Sequence, residues 1–131
     1  MLMNEQRETN ITARVKLTIH SDERFFGPGI CELLEKIQET GSIQGAAAEM
    51  KMSYTKAWKI INRAEKEMGI SLIVRISGGK NGGSSALTEA GERAVIVYRE
   101  MERKLVETAS ALLDLNYEVF VPAEPLDEEN S

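Results

Sequence analysis

Cysteine and histidine are nearly absent from this sequence: Cys31 and His20 are its only examples. A single thiol excludes an internal disulfide. Two such residues are too few for a structural metal site, which takes about four protein ligands. No second histidine is present to activate the thiol, and Cys31 sits beside a helical apolar stripe, where a small packing residue fits. Long apolar runs are missing as well; none approaches the ~20 residues that span a bilayer. Residues 1–10 are polar and lack an apolar h-region, so no signal peptide is expected there and the expected location is cytoplasmic. Carboxylates are plentiful but scattered, with no paired arrangement. The glycines of Gly78–Ser84 miss the P-loop pattern, because Gly83 is followed by Ser84 rather than lysine. No enzyme is expected, and no cofactor or metal.

Net positive charge is also lacking: the formal charge is −5. DNA-binding domains are usually basic, so the total argues against nucleic acid. Its distribution reverses the argument. Between Lys51 and Lys80 stand seven cations and two anions, whereas Asp114–Ser131 holds six anions and no cation. A polyanion is steered by the local field rather than by the sum.

Residues 12–20 alternate strictly, with Ala13, Val15, Leu17 and Ile19 on one side and Arg14, Lys16, Thr18 and His20 on the other. Period two predicts a half-buried strand. Gly27-Pro28 is a helix-start signal, and Ile30, Leu33, Leu34 and Ile37 then recur at helical spacing. Gly41 is placed to end that helix and Ser42 to cap a short second one over Ile43, Ala46, Ala47 and Met50. Lys51-Met52 is a tight break. Ser53 caps a third helix that runs to Gly69, with Trp58 expected in the core against the first helix. Leu72–Ile76 reads as a strand, Ser77–Ser85 as a loop with four glycines, and Ala86-Leu87 as a return strand. Thr88 caps a fourth helix reaching about Leu115, roughly 40 Å at 1.5 Å per residue. Its stripe, which includes Val97, Tyr98, Met101, Leu105, Thr108 and Leu112, is longer than a small globule can cover and needs a partner. Tyr117–Val121 is apolar without a clear period, and the acidic residues beyond Pro122 read as a disordered tail.

Medium, short and long helices with a two-residue break form a helix-turn-helix pattern. Alanines in the short helix allow a close crossing, which frees the third helix to enter a major groove. Lys56, Lys59 and Arg63 share one face of it, and Ser53, Tyr54 and Thr55 stand at its start. The glycine hairpin that follows, with Lys80-Asn81 at its tip and Arg75 on its first strand, has the composition of a wing that approaches phosphates. The fold class read from this order is mainly α with a small β wing. The domains read as a flexible stretch over 1–11, a winged helix-turn-helix over 12–116 with its dimerisation helix at about 88–115, and an acidic tail over 117–131. A winged-helix protein-interaction module is the alternative; it would not need the basic face.

In order along the chain come Gly41-Ser42-Ile43, Ala46-Ala47, Ser53-Tyr54-Thr55-Lys56-Ala57-Trp58, Gly78-Gly79-Lys80-Asn81-Gly82-Gly83 and Leu87-Thr88-Glu89-Ala90-Gly91. This series resembles the N-terminal DNA-binding domain of ModE-type molybdate-dependent regulators, and more weakly that of LysR-type regulators. The resemblance covers about Val15–Asp114. It implies a winged helix-turn-helix that dimerises through its long helices, binds an inverted repeat in double-stranded DNA and reads it with the third helix. Ser53, Tyr54, Thr55, Lys56, Lys59, Arg63, Arg75, Lys80 and Asn81 are the DNA-contact candidates. Full-length members sense molybdate through C-terminal oxyanion-binding domains. The sequence stops at Ser131, before any such domain, so molybdate sensing is not expected; a stand-alone member with no effector, or one with a separate sensing partner, is.

Overall fold

The computed structural model describes residues 10–76, 83–124 and 126. In chain order these form β1 (Ile19–His20), β2 (Arg24–Phe26), α1 (Pro28–Thr40), α2 (Ile43–Glu49), α3 (Tyr54–Met68), β3 (Ile73–Ile76), β4 (Ser84–Leu87), α4 (Glu89–Leu115) and α5 (Tyr117–Phe120). The described residues fall into two compact units, Lys16–Met101 and a second one that joins residues 10–15 with residues from 102 onward.

Within Lys16–Met101, helix boundaries follow local chemistry. Pro28 occupies the start of α1, where its missing N–H costs nothing. Gly41 closes α1 at φ 79°, and Gly69 closes α3 at φ 71°. Both are left-handed positions that suit glycine. The Ser42 and Ser53 hydroxyls accept from the Gly45 and Lys56 amides at 2.8 and 3.0 Å, the N-caps expected of them. The break between α2 and α3 places Lys51 at φ 59°.

The core gathers Ile30, Cys31, Leu33, Leu34 and Ile37 from α1 with Ile43, Ala46 and Ala47 from α2 and Ala57, Ile61 and Ala64 from α3. Strands β3 and β4 pair antiparallel from Ile73–Leu87 to Ile76–Ser84. Three tethers hold the root of this hairpin. The Glu65 carboxylate accepts from the Leu72 amide at 2.8 Å, Thr88 donates its hydroxyl to the Ser71 carbonyl at 2.7 Å, and the Ser85 amide donates to the Gly41 carbonyl at 2.7 Å. The Thr88 hydroxyl also accepts from the Gly91 amide at 3.0 Å, capping α4. Three helices and this hairpin make a winged helix-turn-helix. Residues 77–82, which carry Lys80 and Asn81, lie outside the described residues.

Some expectations need correction. Of the alternating stretch 12–20, only Ile19 and His20 enter a ladder, because only they find a partner, β2, across a bulge. The charged Ser21–Arg24 stretch had masked that partner. Trp58 is partly buried at the edge of the core rather than sealed inside it. Tyr98, expected on the dimer stripe, is 1% exposed; its ring meets Phe26 at 5.3 Å and its hydroxyl donates to the Leu17 carbonyl at 2.7 Å. It therefore belongs to the protomer's own core.

In the second unit, α4 from Glu102 onward carries an Arg103–Glu107 ion pair one turn apart. Tyr117–Phe120, read as irregular, forms the single turn α5, with Val119 and Phe120 exposed. Among the described residues no helix is long and apolar enough to cross a membrane.

Among the described glycines, Gly91 has the least room for a side chain. A Cβ there would lie 2.3 Å from the Leu72 carbonyl oxygen and 3.3 Å from the Leu87 side chain. Since the obstacle is backbone, Gly91→Ala should destabilise the domain by about 1–3 kcal/mol, as overpacking does. A shift of the urea midpoint measures it; an unchanged midpoint would contradict this packing.

Candidate nucleic-acid interface

Helix α3 is split lengthwise. Ala57, Ile61 and Ala64 are buried, while Ser53, Tyr54, Thr55, Lys56, Lys59 and Arg63 are all exposed. The spacing that puts apolar residues inward leaves every cation of the helix outward. Its two carboxylates are already engaged. Glu65 holds the Leu72 and Ile73 amides at 2.8 and 3.3 Å, and Glu67 accepts a short hydrogen bond from the Ser21 hydroxyl. Both have structural work that leaves the lysines without an acid partner on their own face.

Two cations are held in place rather than loose. The Arg63 guanidinium donates to Glu23 at 2.5 Å, with both side chains more than half exposed. Arg75, on β3, stacks 4.8 Å from the Trp58 ring and donates to the Tyr54 hydroxyl at 3.3 Å. Tyr54 and Trp58 meet edge to face at 6.4 Å. Wing strand and third helix are thus tied by a tyrosine–tryptophan–arginine cluster. A guanidinium stacked on an indole keeps its edge donors available while losing little rotamer freedom on binding. The sequence shows these three residues but not their meeting.

The structure also adds a residue that sequence reasoning missed. Arg24, on β2, lines a notch of about 430 Å³ together with Glu23, Gly29, Lys56, Lys59 and Arg63. The signal was present only as an isolated arginine in a charged stretch, and tertiary contact was needed to connect it with α3. Of the dimerisation candidates other than Tyr98, Val97 and Met101 are exposed in the Lys16–Met101 unit, and Leu105, Thr108 and Leu112 in the other. Cys31 is fully buried, as a packing residue should be.

Residues 31–92 match the family model described as bacterial regulatory helix-turn-helix protein, lysR family. The chain is 36% identical over 99 residues to the molybdenum transport protein ModE of Herbaspirillum seropedicae, covering 76% of this chain and 35% of that protein. It is 38% identical over 97 residues to the transcriptional regulator ModE of Haemophilus influenzae, covering 74% and 37%. A full-length CbnR chain, solved in complex with its target DNA, aligns at TM-score 0.44 and 20% identity over 69% of this chain and 28% of that one. The chain spans about a third of the length of the curated relatives it matches.

The class is that of a helix-turn-helix domain similar to those of bacterial regulators. More particularly, the chain carries a ModE-like winged helix-turn-helix domain with LysR-type helix-turn-helix sequence.

The Glu23–Arg63 pair generates a prediction of its own. An exposed pair contributes about 0–1 kcal/mol, so Glu23→Gln should leave stability nearly unchanged. It removes a negative charge from beside the cationic face. Duplex affinity at low salt should therefore rise by a factor of a few. Fluorescence anisotropy measures this, and unchanged or weaker binding would contradict the assignment.

Proposed function

We propose that this protein is a homodimeric transcriptional regulator that binds double-stranded DNA at an inverted repeat. Helix α3 enters the major groove, and the glycine-rich segment 77–85 lies against the backbone. Ser53, Tyr54, Thr55, Lys56 and Lys59 read base edges or adjacent phosphates. Arg63, Arg75, Lys80 and Asn81 contact phosphates. The observation that carries this reading is the outward face of α3, where lysines stand clear while the helix's carboxylates are tied elsewhere. A module that only bound proteins would have no use for that separation.

The second copy is recruited through apolar side chains on α4. Leu105 and Leu112, 41% and 55% exposed, are costly to leave in water along a helix of this length. Two protomers then present their α3 helices to successive major grooves, ~34 Å apart.

Selection of bound sequences from a random duplex pool tests the reading. The expected winner is a palindrome; absence of any enrichment would sink DNA recognition and favour a protein-interaction module. Leu105→Glu should convert the dimer to a monomer in sedimentation, with helix content retained because the side chain is exposed. An unchanged sedimentation coefficient would rule out that seam.

A further inference from the structure

We propose that the notch between the β2–α1 junction and α3 is an anion site that takes one backbone phosphate of the bound duplex, with Arg24 as its outer contact beside Lys56 and Lys59. This rests on α3 being the DNA-facing helix. Four cations and one carboxylate line the notch. The carboxylate, Glu23, is engaged with Arg63 at 2.5 Å. Among the described residues no ion pair engages Arg24, Lys56 or Lys59. Three unpaired like charges around one concavity repel each other, and an oxyanion with several acceptor atoms relieves that repulsion.

The walls suit such a guest. Helix α1 begins here, its N-cap Gly27 offers no side-chain cap, and its first turn holds no acid. Those first amides add donors to the charge supplied by the side chains. A Cβ built on Gly29 would meet nothing within 4 Å, so the approach is open. Duplex phosphate is favoured over a free oxyanion because the cations are shared. Lys56 and Lys59 line the notch and also stand on the exposed face of α3. A duplex engaging that face brings its backbone over Arg24.

The test uses the full chain with a short random-sequence duplex. Arg24→Gln should lower the slope of log K against log salt by about one unit, with thermal unfolding unchanged because the side chain is exposed. Duplex should shift the Gly29 and Ile30 amide resonances, whereas sodium phosphate at fixed ionic strength should not. An unchanged salt slope in the variant overturns the proposal. Saturable shifts of those amides by inorganic phosphate, with a wild-type slope in Arg24→Gln, assign the notch to a free oxyanion and overturn the duplex occupant. If only this inference fails, the wild-type chain still binds duplex; if the function proposed above fails, it does not.

Discussion

The lengthwise division of α3 is the constraint on which the rest depends. One edge must be small enough to lie close to its neighbours, and Ala57 and Ala64 flanking Ile61 provide it, all fully buried. Alanines 46 and 47 of α2 are buried in the same core. Larger residues at these points would push α3 outward and change the angle at which its polar face is presented. The cationic face is a consequence of that packing. With 3.6 residues per turn, buried positions 57, 61 and 64 leave 56, 59 and 63 on the far side.

Electrostatics then depends on where the acids go. The protein is acidic as a whole, yet three carboxylates on or beside α3 have local tasks. Glu65 closes the start of β3, Glu67 holds Ser21, and Glu23 holds Arg63. A carboxylate that accepts such hydrogen bonds keeps its charge but is fixed in place by its donors. Among the described residues no ion pair joins these acids to Lys56 or Lys59. A net charge of −5 does not set the local charge, since the exposed face of α3 carries Lys56, Lys59, Arg63 and Lys66.

Much of this was legible in the sequence because it is local. Gly41, Gly69, Ser42, Ser53 and Thr88 mark helix ends through their own backbone preferences or hydroxyl reach, and each does so in the structure. What escaped depends on contacts distant in sequence. Tyr98 fits the heptad-like stripe of α4 by spacing, but its hydroxyl finds a carbonyl 81 residues earlier and its ring finds Phe26. Period two over residues 12–20 promised a strand, yet a ladder needs a partner and only three residues of β2 supply one. Arg24 is one cation among charged neighbours until the fold brings it beside α3.

The root of the hairpin ties β3 to α3 and to the start of α4. Strand β3 is held from below by Glu65 and Thr88, from the side by β4, and at its outward face by Arg75 lying over Trp58. Trp58 belongs to α3, so the wing strand and the third helix share one rigid support. The bonds that fix β3 and its approach come from α3, from the start of α4 and from the β4 ladder. Rigid presentation of two elements lowers the entropy lost when both engage one partner. It also explains the placement of an arginine rather than a lysine at residue 75. A planar guanidinium lies over the indole while its edge donates to Tyr54, a fixed geometry that the flexible point charge of a lysine does not reproduce.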